Sequence, residues 1–344
     1  MTTSDASPIS TVLPTSLIDW FYIYTELTKA KLSILVLLTT VAGFVLGSAR
    51  SIDVSALLWT VLGTAFAAAG SSGLNQLWEK DLDAKMERTR TRPLPSGRVG
   101  SGHVIVLSLA LSLSGVGILA LRVNLLTAFL AALTIVLYIF FYTPLKTRTS
   151  LCTLAGALCG AIPPMIGWTG ATGVLSPGAW VLAAILFVWQ IPHFLALAWL
   201  YREDYERGGF RMLPLTDHSG WLTTKMAVLY SLALLPVAAT LSLVGVTGWI
   251  FAAGSLLLGG MMLAAGLKLD RQKTTDNARR LFLVSIIYLP ILLGLMVFDR
   301  PLSPRVETLP IRTSEESPNY VDPSDIILAR TLSSAQSSCS DQLI

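Results

Sequence analysis

Long apolar runs alternate with short charged loops along this chain. Runs of about 20 residues, enough to cross a bilayer as helix, fall near 32–49, 54–76, 102–121, 124–142, 150–172, 178–201, 222–246, 248–268 and 279–298. The pattern predicts an all-α integral membrane protein with about nine transmembrane helices, since a helix satisfies its own backbone in lipid. Residues 29–300 make up the membrane domain. An N-terminal segment, 1–28, precedes it, and a Ser/Pro-rich tail, 301–344, follows with the composition of a disordered segment.

Charge gives the orientation. With the N-terminus inside, the inner loops hold most of the 25 lysines and arginines. Only Arg50, Arg122, Arg300, Arg305, Arg312 and Arg330 fall on the other side. The positive-inside rule then puts the N-terminus in the cytoplasm and the C-terminus outside. The loops after the second, fourth, sixth and eighth helices all face the cytoplasm. The first 28 residues carry no Lys or Arg but do carry Asp5, Asp19 and Glu26. That fits neither a secretory signal nor a mitochondrial transit peptide, so the expected home is the plasma (inner) membrane of a bacterium, with insertion through the first helix.

Composition agrees. Charged residues are 13% and hydrophobic residues 53% of the 344, whereas soluble domains carry about 25% charged residues. The net charge of +4 sits in loops and forms no basic stripe, so the partner is the lipid bilayer and not a nucleic acid. Three cysteines make no disulfide framework. Cys152 and Cys159 read as small packing residues on one helix face, and Cys339 lies in the tail.

One polar segment, Asn75 to Arg98 (NQLWEKDLDAKMERTRTRPLPSGR), stands between two apolar runs. Asn75, Glu79 and Asp83 are spaced i, i+4, i+8, and on a continuing helix they share one face. One amide oxygen and two carboxylates are hard ligands that suit Mg²⁺ bridging to a diphosphate. Asp81 falls elsewhere on such a helix. Arg88 and Arg92, again four apart, offer bidentate grips for phosphate oxygens. Pro93 and Pro95 then stop the helix. Carboxylates alone also describe a plain solvated helix end; acids and arginines together within one short segment are harder to read that way.

Three further places add chemistry. In the segment Tyr142 to Arg148, Lys146 can neutralise a departing diphosphate, with Arg148 beside it, and Tyr142 can orient a phosphate or face a carbocation. The plainer reading there is an interfacial aromatic with a snorkelling lysine. Gln190 and His193 are polar residues inside the sixth apolar run, where such residues usually face the bundle interior and mark function. Pro192 should loosen that helix locally. His193 can meet a heme iron or propionate or act as an acid or base; the plainer reading is a bond to a neighbouring helix. Glu203, Asp204 and Glu206, with Tyr205, form a second acidic cluster on the same side as the first. Two such clusters converging can hold two metal ions around one diphosphate.

These residues resemble the UbiA superfamily of intramembrane prenyltransferases. The resemblance runs from about Leu27 (LTKAKLSILVLLTT) to the end of the ninth helix and omits both tails. The first acidic motif with RTRTRPLPSGR and the YTPLK segment are similar to the superfamily at large. GAIPPMIGW at 160–168, and WQIPHFLALAW at 189–199 followed by REDY and Gly208-Gly209, resemble the branch that farnesylates heme. Two departures are Glu79, where many members show Asp, and a second acidic region in which Asp204 is followed four residues on by Gly208.

The resemblance implies a UbiA-like bundle, Mg²⁺ as cofactor, and heme b and farnesyl diphosphate as substrates. It implies Asn75, Glu79, Asp83 and Asp204 as metal ligands and catalytic residues with Lys146. Arg88, Arg92, Tyr142, Arg148, Gln190, His193 and Tyr205 are then substrate-binding. A heme A synthase or a terminal oxidase assembly becomes a candidate protein partner. Two other readings stand beside this one: a UbiA-type enzyme with an aromatic acceptor, and a transporter with an acidic gate. The WQIPHF segment argues against the first. Charges gathered at one face and not at midplane argue against the second.

Overall fold

The structure is a computed structural model that describes residues 16–48 and 51–301. Residues 1–15 and the tail from 302 onward, Cys339 included, lie outside the described residues. A short helix α1, Leu17–Leu27, comes first. Nine helices among the described residues are then long and apolar enough to cross a membrane. They are α2 Ala30–Gly47, α3 Val54–Trp78, α4 Ser101–Arg122, α5 Leu125–Leu145, α6 Cys152–Thr172, α7 Pro177–Leu200, α8 Trp221–Leu243, α9 Trp249–Arg271 and α10 Thr275–Phe298.

Most successive helices pack side by side, and α10 packs back on α7 and touches α2. The chain's last span therefore meets its first. The centre is made by α6 and α7, whose apolar windows are 72% and 61% buried. The other spans turn leucines outward, such as Leu113, Leu121 and Leu257, all more than two-thirds exposed. A bilayer covers such side chains without cost, because lipid is as apolar as they are.

Close helix approach explains the small residues. A side chain at Gly167 would place its first carbon 1.8 Å from the Thr40 carbonyl, and one at Gly43 would lie 2.0 Å from that of Pro164. So α2 and α6 cross backbone to backbone, the small-residue packing of membrane helices. Prolines do not interrupt these spans. Pro163 and Pro164 lie inside α6, and α7 stays helical through Pro192 rather than loosening there. The real irregularity is a π-helical stretch, Leu137–Tyr142, at the end of α5. It rotates the following Thr143 and Lys146 relative to a regular helix, as π-bulges near sites often do.

Helix α1 is a feature the apolar runs did not reveal. Ser16 and Asp19 cap it reciprocally, at 3.1 Å each way. Its Ile23 and Leu27 pack with Leu94, Val99 and Val104 under the arginine-rich loop. Glu26 takes an ion pair from Arg98 at 2.9 Å, and Gln76 donates to the carbonyls of Glu26 and Leu27. The helix thus fastens the loop that carries Arg92 onto the end of α3.

Candidate active site

Asn75, Glu79 and Asp83 share one face, as their spacing requires, although α3 ends at Trp78. One further turn, Lys80–Asp83, continues it. The backbone stays in register across the break: Glu79 N–H donates to the Asn75 carbonyl at 3.0 Å and Asp83 N–H to that of Glu79 at 2.7 Å. All three side chains are buried, at 0%, 4% and 1% exposure. A buried carboxylate needs a counter-charge or a metal, and each of these residues faces a cation.

Lys146 Nζ meets Glu79 Oε1 at 2.7 Å. Arg92 Nη1 meets Asp83 Oδ2 at 2.6 Å. Lys29 Nζ meets Asn75 Oδ1 at 2.6 Å, and Thr143 Oγ1 accepts from Asn75 Nδ2 at 3.0 Å. Burial opposes the charge on Glu79, but the nearby Lys146 and Lys29 ammoniums hold its carboxyl below the usual range. Burial likewise opposes the Lys146 charge, and Glu79 outweighs it, so that ammonium is held more tightly than usual. Lys29 has less support: burial pushes it down to about 7, with Lys146 nearby adding to the effect. Its backbone is also strained, at φ 48°, the one left-handed non-glycine residue described. Strain of that kind is found where a side chain must be placed.

Asp83 Oδ1 is buried and has no hydrogen-bond partner among the described residues. An orphaned carboxylate oxygen beside a second carboxylate and an amide oxygen is a donor set that fits magnesium. Magnesium takes oxygen ligands from few carboxylates and completes its shell with water and phosphate.

The second acidic cluster meets the first differently from the expectation. Asp204 Oδ1 accepts from the backbone N–H of Glu87 at 3.0 Å and from Arg207 at 2.8 Å. Its Oδ2 accepts from the N–H of Arg88 at 3.2 Å. Burial works against this carboxylate, yet those N–H groups and Arg207 hold it below the usual range. Its oxygens are thereby committed, and among the described residues no three His, Cys, Asp or Glu side chains come together to hold a metal. Asp204 thus clamps the backbone of the arginine loop in this arrangement. Gly209, at φ +75°, turns the chain so that Phe210 N–H returns to the Tyr205 carbonyl. Arg211 N–H then donates to the Lys146 carbonyl at 2.7 Å, which joins this loop to the inner site.

The remaining predicted residues divide. Tyr142 lies under Lys146, whose Nζ is 4.5 Å from the ring centre. Arg88 does not join Arg92; it rests over Tyr201 at 5.1 Å and Tyr205 at 5.8 Å, beside a cleft of about 400 Å³. Arg148 is exposed. Gln190 is buried against Gly160, where an added side chain would come within 2.1 Å of Oε1. His193 bonds through Nδ1 to Ser285 Oγ at 2.8 Å, across to α10.

Residues 36–287 match the model of the UbiA prenyltransferase family. The chain belongs to the UbiA prenyltransferase family. It is 43% identical over 287 residues to a protein of Solibacter usitatus (strain Ellin6076) named protoheme IX farnesyltransferase, covering 81% of this chain and 98% of that one. Its fold is similar to a solved structure described as giving insights into digeranylgeranylglyceryl phosphate synthase in membranes, with TM-score 0.67, 16% identity, and 81% and 98% of the two chains covered. It is also similar to a UbiA homolog from Archaeoglobus fulgidus bound to DMAPP and Mg²⁺, with TM-score 0.56, 14% identity, and 79% and 98% covered.

On this UbiA fold the residues that sequence reasoning missed are Lys29, Thr143 and Ser285. Lys29 counted only as one of the cations that set orientation, because nothing in its neighbourhood links it to Asn75, 46 residues on. A lysine just ahead of the first long apolar run was the available signal. Thr143 stood inside the YTPLK segment unremarked. Ser285 sits in an apolar run with no local sign of its partner.

Proposed function

We propose that this UbiA-family chain transfers the farnesyl group of farnesyl diphosphate to a vinyl group of heme b. Water adds in the same reaction, diphosphate leaves, and the product is heme O. The observation that carries this reading is the 43% identity to a protein named protoheme IX farnesyltransferase, matched over 98% of that protein. The fold relative from Archaeoglobus fulgidus, bound to DMAPP and Mg²⁺, supports a prenyl diphosphate and a divalent ion as ligands of this fold.

The geometry accounts for the first half of the reaction. Asn75, Glu79 and Asp83 would hold magnesium, which when bound supplies positive charge against diphosphate oxygens. Lys146, Arg92 and Lys29 lie on those same three side chains. They are placed to take up the negative charge that grows on the diphosphate as the allylic C–O bond breaks. Charges fixed before the reaction stabilise such a step without reorganising. Tyr142, beneath Lys146, offers a ring face toward the same region. The apolar helices shelter the farnesyl chain and keep water from the allylic cation. Asp204 holds the arginine loop in place through its backbone. We place the charged end toward the cytoplasm of a bacterium, on the loop bias of lysine and arginine.

Incubation of purified protein with heme b, farnesyl diphosphate and Mg²⁺, read by mass spectrometry of the extracted hemes, tests the reading. A heme gaining farnesyl plus water is the expected product. Diphosphate release that depends on a phenolic acid, with no new heme, would keep the fold and move the acceptor to an aromatic compound.

A further inference from the structure

The outer face of α9 carries charge that the reaction does not use. Leu257, Met261, Ala264, Leu267, Lys268 and Arg271 recur at helical spacing and share that face. Leu257 and Met261 are 69% and 51% exposed, and a side chain added at Gly260, between them, would meet nothing within 4 Å. The face is therefore open to lipid and low in relief at Gly260 and Ala264. It ends in a cleft of about 390 Å³ lined by Ala264, Leu267, Lys268, Arg271 and Gln272. Neither cation in that cleft has an ion pair or a side-chain hydrogen bond among the described residues. The neighbouring acid, Asp270, is committed to α8: it accepts from Thr224 Oγ1 and from Lys225 Nζ, each at 2.8 Å. The backbone beneath the cations is held at the same time. Gln272 N–H donates to the Lys268 carbonyl at 3.0 Å, and Asn277 Nδ2 of α10 donates to the Gln272 carbonyl at 2.8 Å.

Two unpaired cations at the head of an apolar, lipid-facing surface suit a phosphate that carries an acyl chain. Basic pockets at the ends of membrane helices take anionic headgroups in this way. A solvated loop cation has no such apolar floor beneath it, and a free inorganic anion would leave that floor uncovered. As the eighth span, α9 ends on the same side as α3, the second, which is the side that the loop charges place in the cytoplasm, where the leaflet is negative. We propose that this cleft seats the headgroup of an anionic glycerophospholipid. Arg271 grips the phosphate oxygens. Lys268 lays its stem on the apolar surface and brings its ammonium to the same phosphate. One acyl chain follows Ala264 and Gly260 toward the midplane. No bond forms or breaks. The lipid neutralises two like charges one turn apart and so stabilises the side of the bundle formed by α8, α9 and α10.

The test follows thermal unfolding of the full-length protein in neutral detergent while phosphatidylglycerol, or phosphatidylcholine with the same acyl chains, is titrated in. Each variant is compared with its own lipid-free midpoint, so its intrinsic stability does not enter. Phosphatidylglycerol should raise the wild-type midpoint, and phosphatidylcholine should do so only at much higher concentration. Lys268→Gln/Arg271→Gln should weaken the phosphatidylglycerol response about 25-fold, at about fivefold for each cation near an anionic surface. Arg279→Gln/Arg280→Gln removes the same charge from exposed positions at the start of α10 and should respond as wild type. Ala264→Phe fills the cleft without changing its charge and should also weaken the response. Equal weakening by the two double variants would mean a diffuse charge effect and overturns the site. An equal response to the two lipids, or the same rise with inorganic phosphate alone, overturns the anionic lipid as its occupant. An unchanged response in Ala264→Phe overturns the acyl seat. None of these outcomes depends on the reaction proposed above.

Discussion

Lys146→Met removes the ammonium that faces Glu79 at 2.7 Å and keeps most of the apolar stem. Both side chains are nearly closed off from solvent, at 10% and 5% exposure, so water screens little of the effect. Leaving one member of a buried ion pair without its partner costs about 3–5 kcal/mol. Lys29 also acts on Glu79, so the loss should fall near the low end, about 3 kcal/mol. At roughly 2–4 °C per kcal/mol, the unfolding midpoint should drop by about 6–12 °C. Removing Lys146 also removes the chief charge that lowers the Glu79 carboxyl, so Glu79 moves toward the protonated form. The double variant Glu79→Gln/Lys146→Met removes both members of the pair and should recover most of the midpoint, since neutral replacements of buried pairs are well tolerated. Turnover should not recover. Loss of one preorganised charge on a leaving group lowers kcat by about 10²–10³, and the double variant loses a metal ligand as well. The assay is thermal unfolding in detergent followed by tryptophan fluorescence, with heme products counted in parallel. An unaltered midpoint for Lys146→Met, or turnover regained in the double variant, would refute the reasoning.

Other expectations follow from the same contacts. Asp83→Asn keeps the shape but removes the charge beside the orphaned Oδ1 and its Arg92 pair; heme product should fall at least about 100-fold while the protein inserts normally, and near-normal product would remove the metal-site assignment. Gly167→Ala drives a methyl into the Thr40 carbonyl and should cost about 1–3 kcal/mol, read as a lower midpoint; an unchanged midpoint would mean α2 and α6 do not touch there. Asp204→Asn should free the backbone at Glu87 and Arg88 and speed tryptic cleavage after Arg88 and Arg90, whereas a metal-ligand role would instead change the Mg²⁺ dependence of turnover without altering cleavage.

The chain's hydrophobic pattern by itself determined the nine spans and their class, because a helix in lipid must satisfy its own backbone and needs about 20 apolar residues to do so. The i, i+4, i+8 spacing also determined that Asn75, Glu79 and Asp83 share a face; helical register is local, and it survives the end of α3 at Trp78. Partners were a different matter. Lys29 reaches Asn75 from 46 residues away, and Asp204 reaches the Arg88 backbone from 116. Arg88 and Arg92, neighbours in spacing, part company: one goes to the tyrosines of the second loop and the other to Asp83. His193 Nδ1 finds its partner in Ser285 Oγ, 92 residues on. Only the tertiary structure decided these, because the charge pairing and hydrogen-bond partners of a buried group depend on which helices pack against it, and that packing is set by shape along whole helices rather than by neighbours in the chain.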